Sequence, residues 1–380
     1  MAVYKIFPTQ DASIYTEFPN TNTGLDPILE ASTYIKNDTA QVSRYLIKFS
    51  TDEISDVIEN KVGANTFTTY LKNFNAVVSG LNLTSKLYFY PVSGEWGMGT
   101  GKYGDSPIVT NGTSWNWLNY SGSTLWPTAS FPAYVTASYS SSAGGGNWYT
   151  GSNLGLDIVA TQSFDYASSK DITVEVKNTV LNWYSHSLDS GNGIENQGFI
   201  VKQQDSDEFV DNINNQTTFR YFSIDTNTIY PPQLEFRWDD YSFSTGSSTN
   251  TVLSTPETFV SIYNNAGVYY SESVPRFRIA AIPKYPDRQF ITASYYTTNY
   301  FLPESQSLYA IKDTTTNEFV VEFDSDYTRI SADATSSYFD VYMNGLEPER
   351  YYTVLIKTVI GDVTKVFDEN IMFKVSKGWM

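Results

Sequence analysis

The segment 229–240, IYPPQLEFRWDD, constrains the fold of this chain more than any other. Leu234, Phe236 and Trp238 alternate with Gln233, Glu235 and Arg237, the period-two pattern of a strand with one buried and one wet face. Pro231 and Pro232 cannot donate to a ladder, so the chain must enter this strand from outside its sheet. After Asp239 and Asp240, residues 241–250 (YSFSTGSSTN) fill with Ser, Thr and Gly. The strand therefore reads as the last of an N-terminal domain over 1–240, and 241–250 as a linker to a second domain over 251–380.

The rest of the chain shares this β character. Aromatic residues make up 16% of the sequence, with 30 Tyr and 23 Phe, and charged residues only 17%, so Ser, Thr, Asn and Tyr must cover much of the surface. Aromatic and β-branched side chains suit a pleated, half-buried surface. A net charge of −17 without any Lys/Arg cluster argues against a nucleic-acid partner, because phosphate contacts need grouped cations. The absence of cysteine excludes disulfides, thiolate catalysis and zinc-thiolate sites. No apolar run approaches the roughly 18 residues of a membrane span, and the N-terminus lacks the basic-then-apolar form of a signal peptide. Synthesis in a cytoplasm without membrane insertion is the expectation.

Along the first domain, strands are expected at 3–15, 42–50, 87–92, 171–176, 199–202 and 221–224. Ser50 and Glu53 form a capping box ahead of Ile54, Val57, Ile58 and Val62, which lie on one stripe of a short amphipathic helix. Val176, Val180, Trp183 and Tyr184 suggest a helical turn or two after 171–176. Roughly eight short strands separated by turns point to a sandwich or jelly roll. In the second domain, strands are expected at 274–281, 319–323, 338–343, 351–359 and 371–375, with Gly361 and Asp362 at a hairpin turn. No repeat period of 20–50 residues recurs, which excludes a solenoid or propeller.

Few motifs carry chemistry. Gly99, Gly101 and Gly104 fit G-x-G-x-x-G, but no helical pattern follows to bring its N-terminus to a pyrophosphate, so the string reads as a Gly-rich loop. His186 is the single histidine and sits in Trp183-Tyr184-Ser185-His186-Ser187 with no nucleophile elbow in the chain, which suits a solvated residue after a helix better than a triad. Glu95, Asp105, Asp205, Asp207 and Glu208 flank a tryptophan-rich region and could form a glycosidase pair, as acidic residues could in any acidic chain. Asp205-Ser206-Asp207-Glu208, Asp239-Asp240 and Asp324-Ser325-Asp326 lack the spacing of a dedicated calcium loop and read as turns. No metal and no cofactor is expected.

The tryptophans are the strongest functional signal. Between 94 and 153 the chain becomes a long polar stretch containing Trp115, Trp117, Trp126 and Trp148, with Tyr149 following. A loop of that length is uncommon unless it binds or packs against something. Trp and Tyr rings stack on sugars or fill pockets in protein partners, so these five are the candidate contacts with a partner chain or a glycan. Trp96, Trp183 and Trp238 fall in strand-like or helix-like patterns and are assigned to the core, together with Tyr351.

Several stretches of 1–240 resemble DNRLRE-type β-sandwich domains: Asp11-Ala12-Ser13-Ile14-Tyr15, then Asn22-Thr23-Gly24, then Arg44-Tyr45-Leu46-Ile47-Lys48-Phe49, with Gly198-Phe199-Ile200-Val201 and Pro232-x-Leu234-x-Phe236 as later landmarks. Residues 97–150 are an insertion relative to that pattern. Gly345-Leu346-Glu347-Pro348 with Tyr351-Tyr352 resembles the Gly-Leu-x-Pro-x-x-x-Tyr segment of fibronectin type III and related Ig-like domains, in which Tyr351 or Tyr352 would be the tyrosine-corner ring. The resemblances imply an all-β chain: a jelly-roll-like β-sandwich followed by an Ig-like or fibronectin-III-like β-sandwich. Taken whole, the chain resembles uncharacterised virion structural proteins of marine tailed phages. That implies a non-enzymatic component of the tail, baseplate, neck or capsid periphery, assembled in several copies with other virion proteins. A glycan-binding adhesion module using the loop tryptophans is the alternative, and a glycoside hydrolase the weaker one.

Overall fold

The computed structural model describes residues 2–81, 85–126, 135–137, 144–150, 157–204, 206–209, 216–245, 252–285 and 300–378. The chain is all-β, built from mostly antiparallel sheets that pack as β-sandwiches, with one parallel pair, Val268–Tyr270 beside Val363–Ser376. It forms two compact units: one of Ile6–Lys61 and Thr68–Glu235, the other of Met1–Lys5, Val62–Phe67 and Phe236–Met380. The division falls within the strand Gln233–Trp238. Much of the polar stretch 241–250 lies outside the described residues.

The larger unit is organised around the strand Thr39–Phe49. Its sheet runs in the order Ala160–Phe164, Ser85–Pro91, Phe199–Gln203, Thr39–Phe49, Ile28–Lys36, Thr217–Phe222, Asn75–Ser79, with Pro8–Tyr15 also paired to Thr39–Phe49. Tyr45 is fully buried, lies 6.1 Å from the ring of Tyr221, and accepts a hydrogen bond from Asn73 Nδ2 in the strand Phe67–Asn73 of the second sheet at 2.9 Å. That second sheet has the order Ala2–Ile6, Gln233–Trp238, Phe67–Asn73, Ile172–Glu175. Gln233–Trp238 is thus an inner strand, and the expected wet face is not wet: Gln233 and Glu235 are buried, Glu235 in an ion pair with Lys72 at 3.0 Å. Both flanks of the strand are paired, and the acidic side chain is tolerated there because it has a cation.

Short helices follow local signals. Ser50 Oγ accepts the Glu53 N–H at 3.3 Å, and the helix Thr51–Asp56 continues as a π-helical turn, Val57–Val62, with Ile54, Val57, Ile58 and Val62 all buried. The helix Lys177–Leu188 is longer than the expected turn or two and buries Val180 and Trp183, the latter 4.7 Å from Phe199. His186 lies in its last turn, its Nδ1 3.2 Å from the Asn192 carbonyl.

In the smaller unit, one sheet has the order Thr258–Ile262, Arg276–Pro283, Ser337–Asp340, Ser331–Ala332 and the other Val268–Tyr270, Val363–Ser376, Tyr351–Ile360, Ser307–Asp313, Phe319–Val321. Their inner faces meet through rings: Tyr309 stacks on Phe339 at 4.3 Å, and Phe277 meets Phe373 at 5.5 Å. Gly361 and Asp362 both take positive φ, +54° and +65°, and close the hairpin Tyr351–Ile360/Val363–Ser376 with a two-residue turn, as the sequence suggests. The tyrosine corner is Tyr352: it is 2% exposed and its hydroxyl donates to the Glu347 carbonyl at 2.9 Å. Tyr351, assigned to the core from sequence, is 54% exposed, because on this strand the odd position faces outward. Trp96, Trp183 and Trp238 are core residues; Trp238 packs 5.5 Å from Tyr342.

Asp11 is the most perturbed acid of the larger unit. It is fully buried in Pro8–Tyr15, its Oδ2 accepts the Ile224 N–H at 2.8 Å, and its Oδ1 has no partner. Burial outweighs that hydrogen bond and, with the nearby Asp225 and Asp26 carboxylates, pushes its pKa up to about 8. The folded chain therefore keeps a proton that an unfolded aspartate gives up near 3.8, so stability is lost as pH rises from there through about 8.

Two measurements follow from this architecture. Thermal melts between pH 5 and 8 should show stability falling with pH by at most about 1.4 kcal/mol per unit, and Asp11→Asn should flatten the profile; a flat profile in the native chain contradicts the assignment. In urea unfolding, Tyr352→Phe should cost about 1 kcal/mol by orphaning the Glu347 carbonyl, whereas Tyr351→Phe should change stability by less than about 0.5 kcal/mol.

Candidate binding surfaces

The turn in residues 19–26 positions the aromatic insertion. Asn22 is fully buried: its Nδ2 donates to the Met98 carbonyl at 2.7 Å and the Thr113 carbonyl at 2.9 Å, and its Oδ1 accepts the Gly101 N–H at 2.8 Å. Its backbone N–H donates to Val109 O and that of Leu25 to Gly101 O, both at 2.9 Å. Gly99, at φ +75°, must stay a glycine, since a Cβ there would stand 2.3 Å from Asn22 Oδ1. The G-x-G-x-x-G string is thus a loop wrapped on an asparagine amide, and residues 105–126 after it contain no helix.

Beyond that clamp, three of the expected contact tryptophans turn inward. Trp115, Trp126 and Trp148 are buried and pack with Val42, Leu46, Ala12, Ile14, Val92, Trp96 and Ile200. They cover the face of Thr39–Phe49 opposite to Tyr45, so this part of the unit has a third layer. Exposed platforms for a partner or glycan are therefore not what these three rings form. The sequence carried the signal: Tyr45-Leu46-Ile47 is apolar without alternation, which means both faces of the strand are covered and something must supply the second cover. Trp117 and Tyr149 are half-buried; Trp117 Nε1 donates to Asn20 Oδ1 at 3.1 Å and its ring meets Tyr120 at 4.9 Å.

At the centre of the third layer lies Arg44, 1% exposed. Its Nε and Nη2 donate to the two carboxylate oxygens of Glu208 at 3.1 and 2.5 Å, and its Nη1 to the Gly145 carbonyl at 2.5 Å. The guanidinium carbon stands 5.1, 5.3 and 5.9 Å from the rings of Trp115, Trp148 and Phe209. Lys202 Nζ joins from the neighbouring strand, 3.1 Å from Glu208 and 5.6 Å from the Trp148 ring. Both carboxylate oxygens of Glu208 are thus engaged by two buried cations. Asp205 lies outside the described residues, and Asp105 caps the Lys102 N–H at 2.8 Å. Among the described residues no group of three or more His, Cys, Asp or Glu could hold a metal ion.

Two other surfaces face outward. On the larger unit, the Gly-rich loop presents Tyr103, 51% exposed, against Tyr15 at 5.2 Å and Phe18 at 5.5 Å. Tyr34 and Lys36 both donate to Glu17 beside it, and Arg220 Nε donates to Glu30 Oε2 at 2.7 Å. On the smaller unit, Phe259 (60% exposed) and Ile282 are directly opposed across the Thr258–Ile262/Arg276–Pro283 ladder and both point out. On the same sheet Arg276 lies 3.9 Å from the Tyr338 ring and is held by Asp340 through two hydrogen bonds of 2.9 Å. The other sheet exposes Val268 and Tyr351 on either side of Lys374, with Tyr270 and Met372 also exposed. Sequence analysis missed these residues; exposed aromatics in alternating strands, such as Tyr351, and an aromatic set between glycines, Tyr103, were the available signals.

The buried cation network makes a strong prediction. Arg44→Met leaves Glu208 half-paired and the Gly145 carbonyl unbonded, and should cost about 3–5 kcal/mol in denaturant unfolding, with tryptophan emission shifted to the red as Trp115 and Trp148 hydrate. Adding Glu208→Leu to that variant should recover part of the loss.

No family model matches the chain, and no curated protein matches it in sequence. Among solved structures, the adhesin domain of Epf from Streptococcus pyogenes is 9% identical over 98% of this chain and 99% of that chain, at a TM-score of 0.17, a level of likeness that supports no inference about fold or function.

Proposed function

We propose that this chain is a non-enzymatic structural component of a tailed-phage particle, acting through contacts with neighbouring subunits. The observation that carries this reading is the outward pair Phe259 and Ile282 with the exposed Val268, Tyr270, Tyr351 and Met372 on the sheets of the smaller unit. Monomeric soluble proteins seldom leave apolar side chains grouped in contact on a sheet face, and such groups mark protein interfaces. Tyrosine and arginine, the types that dominate interface energies, lie further along the strand of Ile282 and on its neighbour, as Arg278, Arg276 and Tyr338. The arginines are already locked by Asp340 and Asp333, so little side-chain entropy is lost when a partner covers them. Many copies in symmetric contact convert modest pairwise interfaces into a permanent assembly. The resemblance to virion proteins supplies the kind of particle.

Mass spectrometry of purified particles of the encoding phage should recover the chain, and failure to find it would end this reading. Phe259→Ser with Ile282→Ser should leave the folded chain's urea midpoint nearly unchanged, since both side chains are exposed, while the doubly substituted chain is lost from particles.

A further inference from the structure

We infer that the strand Thr258–Ile262 pairs antiparallel with the same strand of a second copy of this chain, about a twofold axis through Val260. This rests on the assembly reading of the Phe259 face and names its partner. The strand is the last of its sheet: Arg276–Pro283 lies on one side, and among the described residues no strand is paired on the other. The Lys284 N–H donates to the Glu257 carbonyl at 2.8 Å and the Tyr263 N–H to the Arg278 carbonyl at 3.2 Å. Antiparallel ladders alternate, so Glu257, Phe259, Ser261 and Tyr263 direct their backbone groups to the neighbouring strand, and Thr258, Val260 and Ile262 direct theirs outward. Those outward groups make no hydrogen bond among the described residues.

Such edges are normally blunted by a bulge, a proline, a lysine or a covering segment. At the opposite edge of the same sheet, Ser331–Ala332 is closed by the chain at Ser242 and Ser244, through bonds of 2.9 and 3.0 Å. The pairing of the edge strand Phe319–Val321 is interrupted by a register shift. In the larger unit, Ala160–Phe164 is capped by the Gln162 amide, bonded to the Asp171 carbonyl and the Thr173 N–H at 2.9 and 2.8 Å. Among the described residues Thr258–Ile262 has none of these: its register runs unbroken over five pairs, and it holds neither charge nor proline. A regular, uncharged edge is a template for another strand.

Shape and charge select a second copy as that strand. The outward side chains form a large end, Phe259 opposite Ile282, and a small end, Ser261 opposite Ala280. In a twofold pairing centred on Val260 the outward backbone groups meet one another, Val260 with the partner's Val260 and Thr258 with the partner's Ile262. Phe259 then lies directly across from the partner's Ser261, so each large end packs over the other copy's small end, with the two Phe259 rings in diagonal reach. Glu257, the one charged residue of 257–263, comes opposite the partner's Tyr263, so no like charges meet although each chain carries −17. The contact is isologous and closes as a dimer, joining the two four-stranded sheets.

The test is sedimentation of the full chain in about 0.5 M NaCl, which screens its charge. The native chain should form a dimer with Kd on the order of 10 µM or tighter. Ser261→Lys sets a cation against the partner's Phe259 from an exposed position, and should weaken the dimer at least about tenfold while the chain stays folded by circular dichroism; Tyr351→Lys, on the other sheet, should leave the dimer unchanged. The native chain has no cysteine, so a second measurement reads the register directly. Mild oxidation of a mixture of Phe259→Cys and Ser261→Cys chains should link one to the other, since directly opposed residues of a non-hydrogen-bonded pair stand about 4.5 Å apart at Cα, within disulfide reach. The inference is overturned if the native chain is monomeric at about 0.1 mM, if Ser261→Lys dimerises as well as the native chain, or if the mixture links no better than either variant alone. A monomeric chain still recovered from particles would sink the twofold pairing and leave the assembly reading standing. A dimer that meets both tests, in a chain absent from particles, would do the reverse.

Discussion

A buried guanidinium organises the larger unit. Arg44 stands on the central strand of the main sheet, yet its side chain points away from the sandwich core into the layer formed by the insertion. Desolvating a guanidinium is costly, and the cost is met only if every donor finds a partner. Glu208 comes from the far end of the Phe199–Gln203 strand's following turn, Gly145 from the insertion, and the rings of Trp115 and Trp148 from two further points along it. None of those segments can shift without unpairing a charge. Apolar packing alone would hold the layer down but would tolerate several arrangements, whereas a guanidinium with fixed directions of donation accepts one. The aromatic insertion is thus a cover with a defined register.

The second anchor, Asn22, works by the same logic with an amide in place of a charge. One side chain satisfies two carbonyls and a backbone N–H that belong to residues 98, 101 and 113, so a stretch without regular secondary structure avoids leaving its polar backbone unpaired. Order imposed at Asn22 and Arg44 has an outward consequence. With its interior fixed at both, the loop carries the exposed Tyr103 against Tyr15 and Phe18.

What the sequence revealed follows from how local each signal is. The cap at Ser50, the Gly361-Asp362 turn and the stripe Ile54, Val57, Ile58, Val62 depend on neighbours in the chain, and the structure carries them as expected. The strand Ile28–Lys36 escaped because Glu30, Ser32 and Thr33 are polar, and only a network across strands, Ser32 to Ser43 and Glu30 to Arg220, makes the burial of Glu30 and Ser32 tolerable. The wet face expected of Gln233–Trp238 failed for the same reason: Lys72, 163 residues away, neutralises Glu235. The candidate site suffered most. Trp115, Trp126 and Trp148 in polar sequence look like exposed rings until Arg44 is seen beneath them, and Tyr351 and Tyr352 exchange roles on a one-residue change of face.

The same accounting explains why the two units present different surfaces. In the larger unit, Trp96, Trp115, Trp126 and Trp148 are consumed in covering a sheet, and the rings left exposed, among them Tyr103, Tyr120 and Tyr166, are tyrosines rather than those tryptophans. In the smaller unit Phe259, Ile282, Val268 and Tyr270 are exposed, with no third layer over them among the described residues. Burying such groups is favourable in proportion to their area, so an exposed apolar face favours association. A net charge of −17 opposes indiscriminate association of copies in solution, which leaves shape and pairing at these faces, rather than bulk attraction, to select the partner.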